Sequence, residues 1–261
     1  MCLFKRVYVN GQQATVAQDG FFETDLRGPL DISVAVLPTA AQAARSFAFS
    51  ITGREKVITL RDWVVEDEVV SVEFTVKLNA QGVPAYPDNH IKVFAIGSDG
   101  DFSVYEISVV RQEDRFFLCQ QVTHRGTCYR DQEGLVRCPY FSQGIHQWTA
   151  LMPYIENLAK KFVKVLPPIS AYHEPRELLI SPKNGHGYVC WFNIAMGVGV
   201  AKVRLDGEVQ SVKIYWRHIT NRTNNGLRYV PESSVITYQH IQLVPNPKGL
   251  SHQLIGVKLA A

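Results

Sequence analysis

The segment from Val69 to Leu78 most restricts the fold, because apolar and polar side chains alternate along it. Successive side chains of an extended strand point to opposite faces. The alternation therefore predicts a β-strand with one buried face and one solvated face. The buried set is expected to be Val70, Val72, Phe74, Val76 and Leu78.

Further short strands are expected on both sides of this one. Asn10-Gly11, between two short apolar runs, is a strong hairpin signal. Seven or more strands at this spacing, with no crossover helices, indicate an antiparallel β-sandwich, and we assign it to residues 1–125. The other predicted strands are Leu30–Leu37, Ser46–Ile51, Lys56–Leu60, Ile91–Ile96, Phe102–Val110 and Arg115–Val122.

Residues 126–183 differ in character and are predicted to connect two domains. Apolar residues recur at steps of three and four from Trp148 to Phe162, which predicts an amphipathic helix, with Pro153 in an early turn or at a kink. We expect its apolar stripe to pack on the first domain. A helix that binds a membrane surface or a partner is the alternative.

Composition and charge exclude some functional classes. The chain has 261 residues, of which 46% are apolar and 20% are charged. These values are typical of a soluble globular protein. It contains no apolar run of the length that a membrane span needs and no signal peptide at its start, so we expect a cytoplasmic protein with no membrane partner.

Charge is distributed unevenly. From Asn184 onward there are eight basic and three acidic residues, against 19 and 21 before it. A basic C-terminal region on a nearly neutral remainder suits contact with a polyanion, although a solvated surface explains the numbers equally well.

No catalytic or metal motif stands out. The eight histidines are scattered, and no Walker loop, G-x-S-x-G or H-E-x-x-H motif occurs, so we predict no enzyme, no cofactor and no metal. Cys119, His124, Cys128 and Cys138 could supply zinc ligands, but without a C-x-x-C knuckle scattered reduced thiols are the preferred interpretation. An enzyme site between the two domains is the least supported alternative.

The segment from Gly187 to Ala201 carries the most specific chemistry. An aromatic pair ends a short apolar strand, and the next strand has two glycines flanking Val198. Because glycine has no side chain, another molecule can approach the backbone closely at these two positions. A hairpin with a glycine bulge is the simpler interpretation of these residues alone.

Longer motifs extend this signal over residues 187–259. Cys190-Trp191-Phe192-Asn193 with Gly197-Val198-Gly199-Val200-Ala201 resembles the K-W-F-N and G-F-G-F-I motifs of bacterial-type cold-shock domains. Val212–Trp216 and Gly256–Leu259 are similar to that family's V-F-V-H-F and N-V-T-x-L motifs. The resemblance implies a five-stranded OB-fold barrel, assigned to residues 184–261, that contacts single-stranded nucleic acid.

The resemblance also implies a set of binding residues. Strand alternation should place Lys213 and Tyr215 on the outer face and Val212 and Ile214 inside. Bases would stack on aromatic side chains, and cationic side chains would neutralise phosphates. The expected stacking residues are Trp191, Phe192, Tyr215 and Trp216, and the expected cationic residues are Lys202, Lys213, Arg217 and Arg228.

The chain departs from the family at three of its stacking positions. Val198, Val200 and Lys213 stand where family members have aromatic residues. A valine offers no ring face, so the platform is smaller. We therefore hold two interpretations: weakly sequence-selective binding of single-stranded RNA or DNA, or a barrel that serves as a structural or protein-interaction module. A protein partner for the N-terminal domain is a further hypothesis.

Overall fold

A computed structural model of the chain describes residues 4–24, 29–36, 47–52, 56–59, 70–96, 101–130, 133, 136–138, 185–246 and 249–260. The expected mainly β class is confirmed. Within these ranges the one helical element is a single 3-10 turn, Trp216–His218, and no helix is long and apolar enough to span a membrane. The helix predicted between Trp148 and Phe162 lies outside the described residues.

The described residues up to 138 contain twelve strands, and the strand predicted from alternation is among them as β7. They are β1 (Phe4–Val9), β2 (Gln12–Gln13), β3 (Phe21–Phe22), β4 (Leu30–Val36), β5 (Phe47–Thr52), β6 (Lys56–Thr59), β7 (Val70–Val76), β8 (His90–Ile96), β9 (Asp101–Gln112), β10 (Arg115–Thr127), β11 (Tyr129–Arg130) and β12 (Val136–Arg137).

The first ten strands form two sheets that share one core. Their orders are β2-β1-β4-β7 and β3-β10-β9-β8-β5-β6, and every pair is antiparallel. Val7 and Ile32 of the first sheet and Ile107 and Leu118 of the second belong to the same buried cluster. The sheets therefore bury their apolar faces against each other, which removes that surface from water.

The predicted Asn10-Gly11 hairpin is present. Asn10 and Gly11 adopt φ values of 51° and 76°, and the ladder pairs Val9 with Gln12. Positive φ at both turn positions is the conformation that an Asn-Gly pair tolerates best. β11 and β12 form a separate two-stranded ladder.

The C-terminal part of the chain forms one curled sheet of seven segments in the order β17-β18-β15-β14-β13-β16-β19. All its strand pairs are antiparallel except β15 with β18. The segments are β13 (His186–Asn193), β14 (Val198–Leu205), β15 (Glu208–Tyr215), β16 (Val235–Thr237), β17 (His240–Asn246), β18 (Gly249–Ile255) and β19 (Lys258–Leu259).

The ends of this sheet come from the same two stretches of chain. Only Tyr238 and Gln239 separate β16 from β17, and only Gly256 and Val257 separate β18 from β19. The stretch β16–β17 therefore pairs with the stretch β18–β19 at both ends of the sheet: β17 pairs with β18 at one end, and β16 pairs with β19 at the other. The sheet encloses its own buried cluster, which includes Val189, Val212, Ile214 and Leu254.

Strand β9 joins the two parts of the structure because both of its faces are buried. Tyr105, Ile107 and Val109 lie in the core between the first two sheets. On the other face, Val110 packs in a cluster with Leu227, which lies in the loop between the 3-10 turn and β16 of the C-terminal part. Alternate side chains of this one strand thus pack into two separate apolar clusters.

Side-chain amides fix the C-terminal sheet against β9 and β10. Gln121 donates to the Phe192 carbonyl and accepts from the Ile194 N–H, and Gln112 does the same with the carbonyl and N–H of Arg228. Each amide offers a donor and an acceptor as a backbone unit does. The two parts are therefore held in register as well as in apolar contact.

Candidate nucleic-acid interface

Three strands, β13, β14 and β15, present the residues that the sequence singled out. Residues paired directly across antiparallel strands share a face. The register aligns Trp191 with Val200, and Val200 with Lys213. Neighbouring rows on the same face are Tyr188-Lys202-Ser211 and Asn193-Val198-Tyr215. We call these nine residues the outer face.

The alternation expected along β15 is confirmed. Val212 and Ile214 are buried in the C-terminal core, whereas Lys213 and Tyr215 are partly exposed. On β14, Ala201 and Val203 point inward and Lys202 points outward. Lys202, Lys213 and Tyr215 therefore lie on one surface.

Phe192 does not belong to this surface. Trp191 is 42% exposed but Phe192 is only 2% exposed and lies in the core. The ladder shifts register between Val189 and Trp191, so Cys190 forms a bulge that turns Trp191 outward and Phe192 inward. The expectation that Phe192 stacks on a base is corrected, because its ring packs inside.

Arg228 is also committed to another role. Its guanidinium donates to the Glu113 carboxylate and to the Arg217 carbonyl, and its side chain is only 12% exposed. Glu113 pairs with Arg222 as well, at 2.8 Å. Arg228 therefore neutralises a carboxylate on the β9–β10 turn, and the expected phosphate contact is corrected. Arg217 is exposed at the edge of the outer face.

Trp216 is partly buried and follows β15 directly, beside the outer face. The guanidinium carbons of Arg217 and Arg228 lie over its ring at 5.6 and 6.0 Å from the centroid. A Cβ on Gly197 would come within 2.6 Å of its Cδ1, so the backbone packs directly on the indole. A base could stack on Trp216 only by displacing one of these groups.

The outer face includes no acidic residue of its own, and the Asn193 amide donates to the carboxylate of Glu106 on β9 at 3.0 Å. The rows of the face contain Lys202 and Lys213. Gln253 of β18 pairs with Lys213 and continues the central row. The face therefore combines the rings of Trp191, Tyr215 and Tyr188 with two ammonium groups.

A cavity of 480 Å³ opens beside Tyr215. Its lining includes Met196, Arg217, His218 and Gln253. Burial, followed by the positive charge of Arg217 and the proximity of His240, lowers the pKa of His218. His218 is accordingly neutral at physiological pH, and Arg217 supplies the positive charge at this end of the face.

A second cavity of 480 Å³ lies in the cleft between the two parts of the structure. It shares Met196, Gly197, Trp216 and Arg217 with the first cavity. The side-chain amide of Asn89 lines it and donates to the carbonyls of Val109 and Ala195, while its Oδ1 has no hydrogen-bond partner. The cleft is polar and continuous with the outer face.

The four zinc-type side chains named from the sequence do not form one site. Cys119 packs in the cluster with Leu227, whereas Cys128 and Cys138 lie by the β11–β12 hairpin. Among the residues that the structure describes, no three metal-ligating side chains come together.

Comparisons of the chain with protein-family models, with curated proteins and with solved structures found no match. The functional assignment therefore depends on the geometry of the outer face. Sequence inspection missed Tyr188 and Ser211 of the outer face, and Gln253 beside it, because their neighbours become evident only once the strands are paired.

Proposed function

We propose that the C-terminal part is a cold-shock-like OB-fold barrel that binds single-stranded nucleic acid on its outer face. The observation that carries the proposal is the row Trp191-Val200-Lys213, which has Tyr215 and Lys202 in the rows on either side. Rings beside ammonium groups on one sheet surface suit a strand with stacked bases and charged phosphates.

The strand pairing supports the barrel assignment. If β16 with β17, and β18 with β19, are each counted as one bent strand, the pairings run β13, β14, β15, β18/β19, β16/β17 and back to β13. A five-stranded ring with one parallel pair suits an OB-fold. On the same basis we assign the two facing N-terminal sheets as a β-sandwich.

Trp191 and Tyr215 would each stack on a base, while Lys202, Lys213 and Arg217 would neutralise phosphates. A stacked base contributes about 1–3 kcal/mol and every base has a ring face, so modest affinity with weak sequence preference is expected. Three phosphate contacts give a salt slope of about 2 for a single strand. The proposal covers both RNA and DNA as ligands, and a cytoplasmic location remains a prediction.

The test is fluorescence anisotropy with labelled oligo-dT and oligo-U of about 12 nucleotides, within the site sizes typical of OB-folds. We expect binding at low salt that weakens by about 20-fold between 50 and 200 mM salt. Lys213→Glu should abolish most of it, whereas Lys77→Glu, which reverses an exposed charge on the N-terminal part, should not. Absence of binding at low salt would refute the proposal.

A second candidate function is protein interaction through the β17–β18 hairpin. Leu243 is 53% and Leu250 is 69% exposed. The register pairs Leu250 with exposed Pro245, so the three apolar side chains share one face. An exposed apolar surface of this kind favours a protein contact over nucleic acid. Any protein partner of the N-terminal part is likewise a proposal.

A further inference from the structure

Two cysteines face each other at one end of the β11–β12 hairpin. The ladder pairs Tyr129 with Arg137 and Arg130 with Val136. One step outward along the same register, Cys128 is opposite Cys138. Opposed residues of antiparallel strands have Cα atoms about 4.5–5.5 Å apart. That separation lies within the range of about 4.4–6.8 Å that a disulfide requires.

Both thiols are buried and interact with each other. Cys128 is 2% and Cys138 is 5% exposed, and both are free thiols. Burial, and after it the hydrogen bond between the two thiols, raises the pKa of Cys128 well above its usual value. The Cys138 thiol is thus close enough to Cys128 to influence its protonation.

We propose that Cys128 and Cys138 are a covalent modification site, at which oxidation forms an intrachain disulfide that closes the hairpin. The other described cysteines lie elsewhere. Cys119 packs in the apolar cluster with Leu227 of the C-terminal part, and Cys190 on β13 lies near the Tyr188 carbonyl. This site is independent of nucleic-acid binding, because neither cysteine is on the outer face.

The oxidant is a small-molecule disulfide such as oxidised glutathione. One cysteine thiolate attacks a glutathione sulfur, the glutathione S–S bond breaks, and one glutathione thiolate leaves. The second cysteine thiolate then attacks the protein sulfur of the mixed disulfide and releases the other glutathione. Two cysteine protons pass to solvent or to the glutathione thiolates, and two electrons reduce the glutathione disulfide.

The raised pKa of Cys128 determines when this exchange occurs. Only a thiolate is a good nucleophile, so the buried and protonated thiol reacts slowly in the folded hairpin. The bond therefore forms during folding or when this two-residue ladder opens locally. Once formed, it is shielded from reductants by the same burial.

Formation of the bond should raise thermal stability. Closing the loop of residues 128–138 restricts the unfolded chain. The loop-entropy relation predicts a rise in Tm of about 5 °C for a chain of this size.

Peptide mapping of the full chain tests the proposal. The protein is unfolded in reductant, refolded in an oxidised glutathione buffer, alkylated and digested with trypsin, which separates the two cysteines by cutting after Arg130 and Arg137. We expect a linked pair of peptides that contain Cys128 and Cys138, lighter by two hydrogens than the separate peptides. The remaining cysteines should be alkylated.

Variants give the matched comparison. Cys128→Ser and Cys138→Ser should each abolish both the linked peptide and the difference in Tm between oxidised and reduced protein. Cys190→Ser should preserve both. Individual alkylation of Cys128 and Cys138 after oxidative refolding, or linkage of either one to another cysteine, would overturn the proposal. The wild-type peptide map decides the matter even if a serine variant fails to fold.

Discussion

Trp191 and Phe192 are neighbours in the chain but lie on opposite sides of the C-terminal sheet, one ring in solvent and the other in the core. Their replacement should therefore have separate effects. Trp191→Ala should weaken oligonucleotide binding about 10-fold, as expected for one lost stacking contact, with little change in stability. Phe192→Ala should reduce the free energy of unfolding by about 3–5 kcal/mol.

Anisotropy titrations and urea unfolding of both variants measure this separation. Equal loss of stability in the two variants would show that Trp191 is also structural. Unchanged binding by a folded Trp191→Ala protein would move the binding site away from the outer face.

Arg217 and Arg228 offer a second contrast. Arg217 is exposed, whereas Arg228 is mostly buried and donates to Glu113. Arg217→Gln should reduce the salt slope of binding by about 0.7, the value for one phosphate on a single strand. Arg228→Gln should leave that slope unchanged and reduce the free energy of unfolding by about 1–2 kcal/mol, since a hydrogen-bonded charge is lost.

Arg222 is the internal control for the Glu113 contacts, because both partners of that ion pair are about half exposed. Arg222→Gln should reduce the free energy of unfolding by less than about 1 kcal/mol. A salt slope that fell in Arg228→Gln but not in Arg217→Gln would reverse the assignment.

Asp19 should make the contact between the two parts sensitive to acid. Burial raises the pKa of its carboxyl, but hydrogen bonds from Thr223, Asn225 and Phe21 outweigh that effect and hold the pKa below its usual value. A carboxyl with a lowered folded-state pKa contributes stability that is complete above the unfolded value and is lost as pH falls through the folded one.

The difference in unfolding free energy between wild type and Asp19→Asn should therefore be constant near neutral pH and shrink below about pH 4. Urea unfolding across the acid range measures it. Thr223→Val removes one of the donors, so its difference in unfolding free energy from wild type should show a smaller change with pH than that of Asp19→Asn. A difference that grew on acidification would contradict the assignment.

Gly199 is required by close packing across the bulge. A Cβ at this position would lie 2.4 Å from the Trp191 carbonyl oxygen and 2.7 Å from the Phe192 ring. Gly199→Ala should therefore reduce the free energy of unfolding by about 1–3 kcal/mol through overpacking. Thermal unfolding and oligonucleotide binding should both be impaired, since the contact displaces the Trp191 backbone.

Gly207→Ala is the matched comparison for Gly199→Ala. Gly207 has a φ of +85° but no atom within 4 Å of an added Cβ, so alanine there meets backbone strain without a clash. A loss of about 1 kcal/mol is expected, with binding unchanged. If both alanine variants lost the same stability and Gly199→Ala bound normally, steric contact at Gly199 would not be the cause.

Much of the β architecture could be predicted from local pattern. Alternation located β7 and β15 and the faces of Lys213 and Tyr215, because a two-residue period is a property of the strand itself. The orientation of Trp191 could not be predicted in this way. Regular alternation from Val189 places Trp191 inside, and only the unpaired Cys190 in the ladder shows the reversal.

Contacts between distant parts of the chain were beyond sequence reasoning. Arg228 has the positive charge expected of a phosphate ligand. Its partner Glu113, however, is far away in sequence and is brought near by packing. The opposition of Cys128 and Cys138 likewise depends on the register of a hairpin too short to show a pattern. Single-sequence analysis identifies which residues carry charge or rings, but pairing determines which of them are accessible.

Strand β9 contributes to two interiors at once, and this limits how each part can change. A substitution at Ile107 alters the N-terminal core, and one at Val110 alters the apolar contact with the C-terminal part. If either part were expressed alone, the apolar surface that the other part covers would be exposed to solvent. Truncation at the boundary should thus yield two insoluble fragments, and co-expression of the halves should restore solubility.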